Sequence, residues 1–322
     1  MNKKMLEQTM ALIEQTAQLL RGLIQQTEEE PCFPDCFPDD VDTKLIITDF
    51  PGKGRTAHLM ESISGMEITD IAEFAFRDSK LEHIDIPCTV ERIGKGAFSN
   101  EHLTRITVDE GNQYFVAIDG VLFKKHETTY FGDKLILFAY PPGKKDDVYF
   151  IPDFVDEIAP MAFMWCRHLK RVVIPKGVRH IRESAFYGGY ALQVIDVSED
   201  NPNYVSPGGV LYDKAMTTLL AYPSCRVQSA RTYKIPYGVR RIGDAAVACT
   251  ANLTNLVVPE TIVSIGELVG EAVMMRIHCA DDSYAREFFG KNMPDEIFNK
   301  ILRYNKSITV KEEEDGAMVS PV

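Results

Sequence analysis

One pattern recurs at a nearly fixed interval along the chain, and it leaves few folds open. It runs Ile158, Ala162-Phe163, Leu169, Val172, Ile174-Pro175 and Val178, and Ile181 then opens a further copy with Ala185-Phe186, Leu192, Ile195 and Val197 at the same offsets. An earlier pair reads Ile71, Ala75-Phe76, Leu81, Ile84, Ile86-Pro87, Val90 and Ile93, then Ala97-Phe98, Leu103, Ile106 and Val108. The period is 22 residues from Ile71 to Ile93 and 23 from Ile158 to Ile181. A unit this short buries its apolar face only against neighbouring copies, so the pattern predicts a solenoid.

The chemistry of one coil follows from its order. In Arg171-Val172-Val173-Ile174-Pro175 the alternation turns Val172 and Ile174 inward and Arg171 and Val173 outward. Pro175 cannot donate to a ladder, so it ends the strand and sends the chain toward a second extended piece at 178–181. The Ala-Phe pair supplies a small residue for close approach and a ring for the interior. Phe76, Phe98, Phe163 and Phe186 are expected to form a spine of core aromatics, each burial contributing about 1.5–3 kcal/mol.

Twice the period is interrupted. Between Asn112 and Tyr149 two β-like runs appear, at Gly120-Val121-Leu122-Phe123 and at 135–141, before the pattern resumes at Ile151-Pro152. The fourth copy has the same design: Asn203-Tyr204, Gly209-Val210-Leu211-Tyr212, then 219–223, then Ile235-Pro236, Val239 and Ile242. Two insertions of one design predict hairpins built into the solenoid. In the fifth copy Val247 replaces the phenylalanine after Ala246.

Upstream, Met5, Leu12, Ile13, Leu19, Leu20 and Leu23 recur at helical steps, predicting an amphipathic helix over about 3–27 that either packs within the chain or self-associates. The proline-rich stretch 31–40 reads as a linker, and Lys44 to Thr48 as a short strand. At the other end, Asp282-Ser283 has N-cap chemistry before a short amphipathic helix, and a second helix is expected over Pro294 to Tyr304. The predicted organisation is a helix and linker over 1–40, a solenoid over 41–280, a helical cap over 281–305 and an acidic, disordered tail over 306–322.

Charge narrows the partners. Lys plus Arg number 35 against 47 Asp plus Glu, and the net charge of −12 disfavours general nucleic-acid binding. Glu7, Gln8, Glu14 and Gln15 interrupt the apolar core a signal peptide needs, so the sequence as given is expected to be cytoplasmic. No apolar run approaches the roughly 18 residues of a membrane span, so no membrane insertion is expected. The seven cysteines are odd in number and scattered, which predicts reduced core residues; Cys32 and Cys36 are the one close pair and lack companion ligands for a metal.

The unit I-x-x-x-A-F, L-x-x-I-x-I-P-x-x-V-x-x-I resembles the BspA-type leucine-rich repeat, and the match covers about Ile68 to Phe289. The insertion-bearing copies, with Asn-Tyr, Gly-Val-Leu-Phe/Tyr and Ala-Tyr-Pro, resemble that family's long variant, and Ser283 to Phe288 is similar to its terminal cap. Together the periodicity and the resemblance predict an α+β repeat solenoid: a leucine-rich-repeat right-handed superhelix of short parallel strands with β-hairpin insertions and a C-terminal helical cap, preceded by an N-terminal helix that departs from the family's pattern. The resemblance implies protein binding without catalysis, or adhesion, often on bacterial or protist surfaces; a cell-surface or secreted adhesin binding host or matrix proteins is therefore the alternative to an interaction module.

Candidate contact residues are the outward strand positions His83, Arg105, Arg171, Val194 and Asn255, with Asp85, Thr107, Val173, Asp196 and Val257 beside them. A second candidate is a basic ridge. Stacking of equivalent positions is expected to bring Arg179 and His180 beside Arg240 and Arg241, where they can meet an acidic partner or the chain's own Glu312 to Asp315. Against an enzyme, the seven histidines are dispersed without metal-type spacing, and there is no serine elbow or HExxH. The Gly-Lys stretch PGKGRT lacks phosphate-loop spacing and reads as a turn. No catalytic residue, cofactor or metal is expected.

Overall fold

The computed structural model describes residues 35–38, 44–50, 54–126, 133–226, 231–250, 252–267 and 275–292. Each repeat contributes one strand to each of two parallel stacks. On the first stack lie three three-stranded parallel sheets: Thr56–His58, His83–Ile86 and Arg105–Val108; Val148–Phe150, Arg171–Ile174 and Val194–Val197; and Thr232–Lys234, Asn255–Val257 and Arg276–His278. The central residue of each strand points inward. Ala57, Ile84 and Ile106, then Tyr149, Val172 and Ile195, then Tyr233, Leu256 and Ile277 stand in register at these positions. The return pieces form the second stack, as in Val155–Ile158 beside His180–Ile181 and Arg241–Ile242 beside Ser264–Ile265.

The two insertions are three-stranded antiparallel meanders. The first runs Phe115–Ile118, Val121–Lys125, Leu135–Ala139, and its last strand pairs in parallel with Val155–Ile158. The second runs Tyr204–Val205, Leu211–Asp213, Thr218–Ala221, whose last strand joins Arg241–Ile242. Each therefore ends as the return strand of its own coil. Asp119 and Gly120, with φ of 51° and 79°, turn the first tip, and a left-handed pair of this kind matches the twist of a tight hairpin.

The interior is a row of side chains from successive coils. Phe76 stacks on Phe98 with ring centroids 5.6 Å apart, and Phe163 on Phe186 at 5.1 Å. Tyrosines continue the row where the meanders enter. Phe76 N–H donates to Ala97 and Phe163 N–H to Ala185 of the following coil, and Tyr140 N–H donates likewise to Ala162 and Tyr222 N–H to Ala246. Ala139-Tyr140 and Ala221-Tyr222 thus occupy the Ala-Phe positions of their coils, and the Tyr140 ring lies 5.6 Å from that of Phe163. The phenylalanine spine expected from the sequence is an aromatic spine with Tyr140 and Tyr222 in it.

The residue before each Ala-Phe pair, and before Ala246-Val247 of the fifth copy, turns the chain through the left-handed region: Phe74, Gly96, Met161, Ser184 and Ala245 have φ between 53° and 66°. Close approach of neighbouring turns makes Gly94 necessary. A Cβ there would lie 2.4 Å from Glu73 N and 2.7 Å from Glu73 Cα, backbone that cannot swing aside. Gly94→Ala is expected to cost about 1–3 kcal/mol, the range for forcing an extra carbon into a packed site; urea unfolding reads it, and an unchanged midpoint would show that the turns move apart freely.

At the chain ends the structure departs from the sequence expectations. Asp35–Pro38, expected within a linker, is a strand pairing antiparallel with Lys44–Asp49. Pro38 is tolerated because this is an edge strand, which can do without a donor on its open side. One helix is described, Tyr284–Asn292, with Ala285 and Phe289 buried on the last core cluster. Of the two expected cap helices, this short one is the one that falls within the described residues. The expected helices over 3–27 and 294–304, Cys32, the first half of the PGKGRT turn (51–53) and the tail all lie outside the described residues. Among the described residues, no helix is long and apolar enough to cross a membrane.

Candidate protein-binding face

The outward positions of the first stack form two rows. One reads Thr56, His83, Arg105; Val148, Arg171, Val194; Thr232, Asn255, Arg276. The other reads His58, Asp85, Thr107; Phe150, Val173, Asp196; Lys234, Val257, His278. The candidate strand residues His83, Arg105, Arg171, Val173, Val194 and Asn255 thus share one face.

That face is divided by the meander tips. Gly120 packs so closely on Arg105 that a Cβ would sit 3.1 Å from Arg105 Cγ, and the charge of the neighbouring Asp119 is felt at Tyr149 of the next sheet. Burial first, then the Asp119 and Asp146 charges, pushes the Tyr149 hydroxyl well above its ordinary pKa. At the second break Gly209 packs on Val194, and Tyr212 hydroxyl meets that of Tyr233 on the following sheet. Burial raises both phenols, so the pair stays neutral.

Each sheet carries a different chemistry. On the first, Asp85 is held by His58, by Thr107 and by His83, whose Nε2 lies 3.0 Å from Asp85 Oδ1. On the middle sheet Arg171 pairs with Asp196, and Lys170 with Asp147 at 3.1 Å. These pairs sit among apolar side chains: Phe150 is 69% exposed and Val148 39% exposed, with Val173 and Val194 beside them. On the third sheet His278 Nε2 lies 3.0 Å from Asn255 Oδ1. Burial, then the neighbouring Arg276 charge, lowers the His278 pKa and keeps its ring neutral.

The basic ridge is not formed. His180 pairs with Glu157 in one five-stranded sheet, Arg241 with Thr218 and Ser264 in another, and the meander strands Tyr204–Val205, Leu211–Asp213 and Thr218–Ala221 stand between them. Arg179 and His180 are exposed beside the meander rather than beside Arg240 and Arg241. Arg240 is exposed, but Arg241 is tied to Glu183 at 2.5 Å. Glu183 in turn shares a hydrogen bond with Asp244, which, with burial, raises its pKa against the pull of Arg241. Equivalent positions stack only between coils that follow directly; the inserted strands break the sequence.

Phe150 and Val148 were not among the candidates. The signal was present, because Val148-Tyr149-Phe150-Ile151-Pro152 aligns on Arg171-Val172-Val173-Ile174-Pro175 and places Val148 and Phe150 outward. Among the described residues no group of three or more histidine, cysteine or acidic side chains is placed to hold a metal ion.

A family model described as the BspA-type leucine-rich repeat region matches six copies, over residues 58–127, 147–206 and 217–269, more than half of the chain. Among solved structures, a leucine-rich repeat protein from Eubacterium ventriosum is similar at 21% identity and a TM-score of 0.43, over 74% of this chain and 68% of that one. The pneumococcal vaccine antigen PcpA is similar at 21% identity and a TM-score of 0.41, over 75% of this chain; the match spans 53% of that antigen. A leucine-rich cell surface protein from Faecalibacterium prausnitzii is similar at 22% identity and a TM-score of 0.37, over 77% of each. No curated protein sequence matches the chain.

Proposed function

We propose that this chain, which belongs to the BspA-type leucine-rich repeat family, is a non-enzymatic protein-binding module that engages its partner with the strand face of the three short sheets. The observation that supports this is the exposed apolar group on the middle sheet, where Phe150 and Val148 face solvent beside side chains already fixed in ion pairs. Neighbours held in place leave little conformational entropy to lose on binding, and large side chains at the centre of such a face carry most of the binding energy. An adhesive role uses the same face and differs in where the chain resides; protease treatment of intact cells separates the two.

Affinity capture from native lysate, followed by mass spectrometry, tests the face. The unsubstituted chain is expected to retain a partner that Phe150→Ser and Val148→Ser lose, with circular dichroism unchanged because both positions are exposed. A partner held equally by both variants would move the contact off this face.

A further inference from the structure

The chain's one tryptophan lies outside the strand face, in the turn after Ala162-Phe163, and there it helps to hold an arginine. The Arg77 guanidinium carbon is 5.9 Å from the centre of the Phe74 ring and 5.6 Å from that of Trp165. Both rings have fixed seats. Phe74 lies so close over Gly96 that a Cβ there would meet its Cε1 at 2.5 Å, and Trp165 lies as closely over Gly188. Arg77 N–H donates to Phe74 O, which fixes the base of the side chain as well. A ring attracts the cation through its π face but offers no lone pair to the guanidinium N–H donors, which are left for a ligand. Arg77 is exposed, and among the described residues its side chain joins no ion pair, although Asp78 adjoins it in sequence.

Beside this clasp is an unsatisfied group. Phe76 stacks on Phe98 and its N–H donates to Ala97 O, so Ser99 stands in the second coil where Arg77 stands in the first. Ser99 is 2% exposed, yet its Oγ has no hydrogen-bond partner. With Gly96, Phe138, Pro142, Met161 and Met164 it lines a crevice, where the first meander interrupts the stack, that has room for one water-sized group.

We propose that Arg77 and Ser99 form a second contact site, for an acidic segment of a partner protein: a carboxylate takes the guanidinium N–H groups of Arg77, and the hydroxyl of an adjoining serine enters the crevice to Ser99. The planar fork of arginine matches a carboxylate with two parallel hydrogen bonds, and its rings hold it ready. In the crevice a charge would lose its hydration among apolar side chains for a single hydrogen bond, whereas a hydroxyl fits the space and relieves the orphaned Ser99 oxygen. A protein segment is the source because the site is open: a free small acid would be covered on one side only. In a chain of net charge −12, a cation without an acid partner attracts such a segment where most of the surface repels it. The site adds to the protein-binding reading above and does not depend on the strand face.

Trp165 reports on the site directly, because no other tryptophan contributes emission. The full chain is titrated with an acetylated Ala-Ser-Glu-Ala peptide, with a matched peptide carrying glutamine in place of glutamate, and with acetate and inorganic phosphate. The acidic peptide is expected to change Trp165 emission saturably, and the glutamine peptide to bind at least about tenfold more weakly. Arg77→Lys, which keeps the charge and loses the fork, should weaken the acidic peptide about tenfold, and Ser99→Ala about fivefold. Phe150→Ser should leave the titration unchanged, so that failure of this site and failure of the strand face are read separately. Equal response to both peptides, or to neither, overturns the carboxylate contact. Full affinity in Arg77→Lys overturns the two-pronged seat, and full affinity in Ser99→Ala overturns the role of the crevice. Acetate or phosphate binding as tightly as the acidic peptide overturns a partner protein in favour of a free small anion. Weakening by Phe150→Ser as large as that by Arg77→Lys would place the peptide on the strand face instead.

Discussion

Phe163→Ala is expected to destabilise the protein by about 3–5 kcal/mol, the range for emptying a phenylalanine site in a core. Phe163 is 1% exposed and its ring is gripped on both sides, stacked on Phe186 at 5.1 Å with 4° between planes and tilted against Tyr140 at 5.6 Å. Neither neighbour can collapse into the space, because Phe163 N–H is bonded to Ala185 O and Tyr140 N–H to Ala162 O, which fixes the coil spacing. The cavity therefore persists, and the lost ring contacts add to the lost transfer energy. Urea unfolding followed by circular dichroism measures the effect. A loss below about 1 kcal/mol would show that the coils slide together and that the spine does not set their spacing.

Asn201→Leu is expected to cost about 2–4 kcal/mol, from four hydrogen bonds each contributing on the order of 1 kcal/mol net. Asn201 is fully buried. Its Nδ2 donates to Pro175 O at 2.9 Å and Val178 O at 3.1 Å in the preceding coil, and its Oδ1 accepts from Asn203 and Tyr204 N–H, both at 2.9 Å. One side chain thus ties the entry of the second meander to the turn of the coil before it. Leucine fills the volume but leaves those backbone groups without a partner at a buried site, where a lost hydrogen bond costs most. Asn112 repeats the arrangement at the first meander, bonding Pro87 O, Val90 O, Tyr114 N–H and Phe115 N–H, so Asn112→Leu should show the same penalty. Hydrogen exchange locates the damage: amides of Tyr204–Asp213 should lose protection first in Asn201→Leu. Loss spread evenly over the chain would place the role of Asn201 in global packing instead.

These two asparagines show where reading a single copy stops. Both stood in the sequence at the start of an insertion, but their function needs carbonyls 22 to 26 residues away, which only the stacked coils bring within reach.

The sequence by itself determined the repeat, the inward strand residues and the presence of two hairpin insertions. These are set by apolar periodicity and by proline within one unit, and Val172, Ile174, Leu169 and Phe163 are buried as their spacing demands. The tertiary structure alone decided which outward residues remain available, since Arg171 is spent on Asp196 and His83 on Asp85, whereas Phe150 is left exposed. It also decided that His180 and Arg241 belong to different sheets, and that Tyr140 and Tyr222 complete the aromatic row. The physical reason is the same in each case: partners across coils are chosen by hydrogen-bond register between strands far apart in sequence, and an inserted meander shifts that register without altering the pattern within any copy.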